Sequence, residues 1–263
     1  MKILHTADWH LGQTFYEYDR REEHFHFLEW LKQQIKQHEI DVLLIAGDVF
    51  DSPNPSAESQ RVYYRFLREV TSENPSLQIV IIAGNHDSAA RLEAPNPLLE
   101  DMNIIVRGTV RRNAEGDIDL QHFIVPLYTE GKVTAYCLAV PYLRQGDYPS
   151  AENYSKGVQQ LYEQLFNKVK EKGIPVVAMG HLQATGSEIS EDDRSERTVI
   201  GGLECVSPDA FNEAITYTAL GHLHRSQRVS HRENVRYSGT PMPMSFAEKN
   251  NASGVVMITI DTE

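Results

Sequence analysis

At 263 residues with 41% hydrophobic content, the chain can bury a substantial core as one large α/β domain. A net charge of −12, from 37 acidic against 25 basic residues, argues against strong sequence-independent binding to nucleic acid, so any such contact must be local. No apolar run approaches the roughly 20 residues of a membrane-spanning helix, the first ten residues lack the features of a secretory signal, and Cys137 and Cys205 form no metal-type or disulfide framework; a cytoplasmic protein is expected.

Lys2 to Thr6 reads as a first strand, followed by Asp8-Trp9-His10. An Asp and a His two residues apart at a strand end can point to one side and close on one cation. Leu28, Leu31 and Ile35 predict a helix from Arg20 to His38, on which His24, His26 and His38 are read as surface or half-buried histidines. Asp41 to Ala46 is a second buried strand, delivering Gly47-Asp48-Val49-Phe50-Asp51 at its end. Strand, helix, strand in this length is a βαβ unit. Ser56 is placed to cap a second helix, with Val62, Phe66, Leu67 and Val70 on its apolar face; Tyr63 and Tyr64 on it suit either a core or an interface. Leu77 to Ala83 is a third strand, ending in Gly84-Asn85-His86-Asp87. Asn85 offers a neutral carbonyl oxygen, His86 an imidazole that titrates near neutral pH, and Asp87 a carboxylate to orient that imidazole. Three parallel-type strands thus bring candidate ligands to one sheet edge, where open α/β sheets place their ligands.

Asn103 to Arg107, Phe123 to Leu127 and Val133 to Val140 predict strands without helices between them, implying a switch to antiparallel pairing. A helix is expected from about Asn153 to Lys172, then a buried strand from Ile174 that ends in Gly180-His181. Residues 182 to 197, with Glu188, Glu191, Asp192, Asp193, Arg194, Glu196 and Arg197, read as a long charged surface loop. Tyr217 to Leu220 leads into Gly221-His222-Leu223-His224-Arg225, where two imidazoles two residues apart favour a ligand role over satisfied core histidines. Short strands at Ser226 to Ser230, Val235 to Ser238 and Gly254 to Ile260 close the chain.

Asp8, His10, Asp48, Asn85, His181, His222 and His224 make seven mixed oxygen and nitrogen donors without a thiolate. With Asp48 as a bridging carboxylate they suit two divalent cations roughly 3.5 to 4 Å apart, the spacing of two-metal hydrolytic sites. Such a pair activates water and neutralises charge on phosphoryl oxygens. His86, not needed as a ligand, would stabilise that charge or protonate the leaving oxygen. Manganese, iron or zinc suits four imidazoles better than magnesium. The chemistry alone does not choose the ester, so a phosphatase or phosphodiesterase for small molecules or phosphoproteins stands as the alternative to a nuclease.

The ordered set D-x-H, G-D, G-N-H-D, G-H and G-H-x-H resembles the calcineurin-like metallophosphoesterase superfamily across nearly the whole chain. Longer blocks, His5 to Gly12, Ala46 to Asp51, Ala219 to Arg225 and Tyr237 to Pro241, resemble its SbcD family of bacterial nuclease subunits. The resemblance implies a four-layer αββα sandwich. It implies a manganese-dependent nuclease of DNA repair, a 3′ to 5′ exonuclease on duplex DNA and an endonuclease on single strands and hairpins. Members dimerise through helices near the metal site and work with the SbcC ATPase. By the same resemblance the first metal takes Asp8, His10, Asp48 and His224, and the second Asp48, Asn85, His181 and His222. Archaeal and eukaryotic relatives carry a histidine where Asp51 stands, so Asp51 is not expected to copy its proton chemistry. Full-length relatives continue into a capping domain and an ATPase-binding tail. Residues 1–263 are therefore expected to be the nuclease domain without them, with weak unaided DNA affinity. Arg225, beside the ligands, is the candidate phosphate contact; Arg20, Arg21, Arg107, Arg111, Arg112 and Arg228 are read as solvated surface charge.

Overall fold

The early strands carry apolar residues on both faces, and both faces are covered. In the computed structural model, which describes residues 1–188 and 205–261, β1 (Lys2–Thr6) leads to α1 (Arg21–His38), β2 (Val42–Ala46), α2 (Ala57–Glu73) and β3 (Gln78–Ile82). The three strands pair in parallel, as crossover helices require. Ser56 caps α2, its hydroxyl accepting from the Ser59 N–H at 3.0 Å. β4 (Ile104–Arg107) joins beside β3.

The second sheet begins with the hairpin β5 (Ile124–Thr129) and β6 (Lys132–Ala139), followed by α3 (Tyr154–Val169) and β7 (Val176–His181). β8 (Tyr217–Gly221), β9 (Gln227–Val229) and β10 (Arg232–Tyr237) complete it, and β11 (Val256–Thr259) returns to pair antiparallel with β1. The strand orders are β11-β1-β2-β3-β4 and β9-β10-β8-β7-β6-β5.

Alternation along each strand sends successive side chains to opposite faces, and three buried cores result. Leu43, Ile45, Ile79 and Ile81 pack on Leu31, Ile35, Phe66 and Val70 of the helices. Val42, Leu44, Val80 and Ile82 meet Val125, Cys137, Val177 and Met179 between the sheets. Leu138, Ala178 and Leu220 pack under Val158, Leu161 and Leu165 of α3. Three cores separate four layers, which is the αββα sandwich.

Three expectations need correction. β4 does not switch to antiparallel pairing, because the helical turns Ala89–Glu93 and Asn96–Leu99 intervene and return the chain in parallel. Asn96 then closes the outer edge of β4, its amide bonding both the N–H and the carbonyl of Val106. Of the three strands expected to pair antiparallel only β5 and β6 do so, since β6, β7, β8 and β10 follow one another in parallel, and Phe123 ends the helical turn Leu120–Phe123 instead of starting a strand. Arg20 is buried, not solvated, because it donates to the Gln13 side chain and the Pro243 carbonyl. Residues 189–197 of the charged loop, with Glu191, Asp192, Asp193, Arg194, Glu196 and Arg197, lie outside the described residues. Cys137 is buried, and neither Cys137 nor Cys205 is in a disulfide. No described helix is long and apolar enough to cross a membrane.

Candidate metal centre

The C-terminal ends of β1, β2, β3, β7 and β8 meet at one place. Beyond β1 and β2 the two segments stay paired, the Asp8 N–H donating to the Gly47 carbonyl and the His10 N–H to the Asp48 carbonyl, each at 3.0 Å. Asp8, His10, Asp48 and His222 hold positive φ values of 55°, 44°, 49° and 100°. Such backbone is uncommon outside glycine and concentrates where a site demands it. Here it turns carboxylates and imidazoles off the strands toward one another. Gly47 permits the approach, with φ at +91° and no room for a Cβ, which would stand 2.3 Å from His181 Nδ1.

Asp48 sits at the middle. Its Oδ1 accepts the His86 backbone N–H at 2.9 Å, while Oδ2 lies 3.2 Å from His181 Nε2 and 3.8 Å from His10 Nε2. Asn85 Oδ1 is 3.0 Å from both His181 Nε2 and His222 Nδ1. Asp8 accepts the His222 backbone N–H at 3.0 Å. Donor atoms of Asp8, His10 and His224 lie within 4.8 Å of one another, as do those of Asp8, Asp48 and His181, and of His10, Asp48 and His86. Five of the seven expected ligands and His86 fall in these overlapping sets, which share Asp8, His10 and Asp48, and Asn85 and His222 join them through the contacts at 3.0 Å.

Among the described residues, Asp48 Oδ2 and His10 Nε2 are buried with no partner at hydrogen-bond geometry. A buried polar atom left unpaired costs about 1–3 kcal/mol; Asp48 Oδ2 has the His181 imidazole beside it at 3.2 Å, but His10 Nε2, facing the same carboxylate at 3.8 Å, has no partner at hydrogen-bond geometry and needs an occupant. Oxygen and imidazole donors without thiolate suit a divalent first-row cation. The electrostatics agree. Burial pushes the Asp8 carboxyl up to about 6; at Asp48 burial is overridden by His181, with His10 and His86, which hold that carboxyl well below the usual range. Against desolvation, the Asp48 charge raises His181 to about 9.

A second ring of acceptors orients the imidazoles. His181 Nδ1 bonds the Ala46 carbonyl at 2.8 Å, His224 Nδ1 the Glu248 carboxylate at 2.7 Å, and His10 Nδ1 lies 3.2 Å from Asp51 Oδ1. Holding Nδ1 in this way sets the tautomer and presents Nε2 as the ligand atom. Sequence reasoning missed Glu248 altogether, since nothing local marks a residue 24 positions beyond His224. It also gave Asp51 no orienting part, although Asp51 stands inside the G-D-V-F-D block. Asp87 needs correction, because its carboxylate does not orient His86. It accepts the N–H groups of Gly84, Val49 and Phe50 at 2.8, 3.2 and 3.0 Å, tying the loops that carry Asp48 and Asn85. His86 Nδ1 instead meets the Asp51 carbonyl at 3.0 Å. Arg225 is exposed and paired with Glu188.

The family model described as calcineurin-like phosphoesterase matches residues 1–226. The D subunit of nuclease SbcCD from Rhodobacter capsulatus is 41% identical, the match covering 99% of this chain and 66% of that protein. Its counterpart in Escherichia coli K12 is 33% identical, over 98% of this chain and 65% of that one. That of Bacillus subtilis is 30% identical, over 98% and 66%. The chain thus spans just under two thirds of the length of these curated relatives. Among solved structures, a dimetal phosphatase from Danio rerio is 13% identical with a TM-score of 0.46, covering 90% of this chain and 86% of that one. A family model spanning residues 1–226, with its motifs converging at five strand ends, is sufficient: the chain belongs to the calcineurin-like phosphoesterase family.

Proposed function

We propose that this chain hydrolyses phosphodiester bonds of DNA with two divalent cations, as the nuclease subunit of an SbcCD-type complex. The observation that carries the hydrolytic reading is the convergence of seven oxygen and nitrogen donors around Asp48, with His10 Nε2 buried and unpaired among them. DNA as the ester is supported by the likeness to the SbcCD nuclease subunits over 98–99% of the chain. Asp8, His10, Asp48 and His224 would hold one cation, and Asp48, Asn85, His181 and His222 the other, with manganese the first candidate for this donor set. When bound, the cations supply Lewis acidity and lower the pKa of a coordinated water.

The protein groups do the rest. Two carboxylates among seven donors leave a doubly occupied site with excess positive charge, which favours an anionic diester. His86 Nδ1 is committed to the Asp51 carbonyl, so Nε2 is the nitrogen that gives or takes a proton at the leaving oxygen. The His10 ring, edge-to-face at 4.9 Å, fixes the His86 plane. Arg225 exchanges Glu188 for a neighbouring phosphate. An SbcC-type ATPase and a second copy of the chain complete this reading.

The test is manganese-dependent cleavage of end-labelled duplex and hairpin DNA, with metal content measured alongside. His86→Ala should lose about 10²- to 10⁴-fold in rate and keep its metal, while Asp48→Ala should lose both. Turnover of small diesters without DNA cleavage would preserve the site and overturn the substrate.

A further inference from the structure

A small hairpin between β1 and α1 pairs Thr14–Phe15 with Tyr18–Asp19, and Tyr16 and Glu17 at its tip adopt left-handed backbone. It lays its rings against the helical turn Phe246–Glu248. The Phe246 ring lies 5.0 Å from Phe15 and 5.3 Å from Tyr16 between centroids, yet Tyr16 and Phe246 are 73% and 64% exposed. Single exposed apolar residues are ordinary; rings gathered on each other and open to water mark a binding surface. The cluster is firmly backed. The Arg20 guanidinium sits 5.5 Å over the Phe15 ring, and Arg20 is held by Gln13 at 2.9 Å and the Pro243 carbonyl at 2.7 Å.

Both halves of the cluster are attached to loops of the metal centre. The Gln13 N–H donates to the His10 carbonyl at 2.9 Å. Glu248, two residues beyond Phe246, is the acceptor for His224 Nδ1. We infer that Phe15, Tyr16 and Phe246 form a stacking platform for an unpaired nucleobase of the strand whose phosphodiester enters the metal centre. The inference rests on the proposed DNA-hydrolysing function and deepens it.

Two considerations select this occupant. A net charge of −12 deprives the chain of broad attraction to phosphates, whereas base stacking on aromatic rings does not depend on charge. In a duplex each base face is already covered by its neighbour, so only an unpaired base offers a face to the platform. Strand ends and hairpin loops are the substrates this favours.

The probe is a single-stranded ten-nucleotide DNA carrying 2-aminopurine, compared with the same oligonucleotide made abasic at that position, both titrated in EDTA. Stacking should quench the 2-aminopurine, and the wild-type protein should prefer the base-containing strand by about 5- to 150-fold. Phe246→Ala and Tyr16→Ala should abolish both quenching and preference, while Phe246→Trp restores them. Equal affinity for the two strands in the wild type, or quenching unchanged in Phe246→Ala, overturns the platform. So does a dimer that dissociates in these variants with base preference intact, which would assign the rings to a second copy. Manganese-dependent DNA cleavage by the same preparations separates the two readings: cleavage without base preference removes only the platform, and binding of neither strand without cleavage removes both.

Discussion

Glu248 is fully buried, and its carboxylate is divided between His224 Nδ1 at 2.7 Å and the Met244 N–H at 2.7 Å. A charged acceptor on the far nitrogen makes an imidazole a better ligand, and replacing such an acceptor typically lowers metal affinity about 10- to 100-fold. Glu248→Gln keeps the shape and the Met244 contact but loses the charge assistance. Manganese affinity measured by calorimetry should therefore fall about tenfold or more, with urea stability of the metal-free protein changed far less. Equal affinities, or a loss of stability alone, would reduce Glu248 to a packing residue. At this scale the ligands were legible because Asp-x-His, Gly-Asp and Gly-His-x-His place donors of matching chemistry at strand ends. Their supporting acceptors were not. Glu248 is chosen by tertiary folding. Asp87, adjacent to His86 in the chain, faces elsewhere because consecutive turn residues diverge, and three backbone N–H groups claim it.

The strands bring these residues together only because the two sheets approach closely, and Gly221 at the end of β8 stands where no side chain fits between them. A Cβ there would stand 2.0 Å from the Ala46 carbonyl and 2.9 Å from His181 Nδ1. The Ala46 carbonyl is also the acceptor that orients His181, so crowding it disturbs packing and ligand together. Gly221→Ala should destabilise the fold by about 1–3 kcal/mol through overpacking and lower metal occupancy. Gly254→Ala, whose added Cβ would meet nothing within 4 Å, should do neither. Thermal melts with metal analysis on both variants decide this, and a normal metal content in Gly221→Ala would count against the coupling. Helices α1 and α2 and the strands between them were readable from periodicity and from Ser56 as a cap. β4 was misread because its partner is chosen across two short helical turns that carry no 3.6-residue pattern long enough to register. The return of β11 to β1 is likewise a long-range pairing with no local signal.

Four layers also enclose imidazoles whose burial outweighs any nearby carboxylate. His24, read from sequence as surface or half-buried, is 3% exposed on α1; desolvation, with Arg20 nearby, lowers its pKa to about 4. Between the sheets, burial lowers His5 to about 3. An unfolded histidine titrates near 6.5. A folded pKa below the unfolded value makes protonation oppose folding. The stability associated with neutral His24 is complete above pH 6.5 and is lost as pH falls from there toward 4, at about 1.4 kcal/mol per unit. Asp8 and Asp87, both raised to about 6 chiefly by burial, act in the opposite sense: their neutral forms favour the fold as pH falls through 6. The total slope is thus a partial cancellation, and only a difference isolates one group. His24→Gln removes the titration and adds a packing loss that does not vary with pH. Urea unfolding of the metal-free proteins from pH 7.5 to 4.5 should show the wild type losing ground to the variant by about 1.4 kcal/mol per unit below 6.5. Parallel curves would mean that His24 protonates as readily folded as unfolded, and that the core around it admits water.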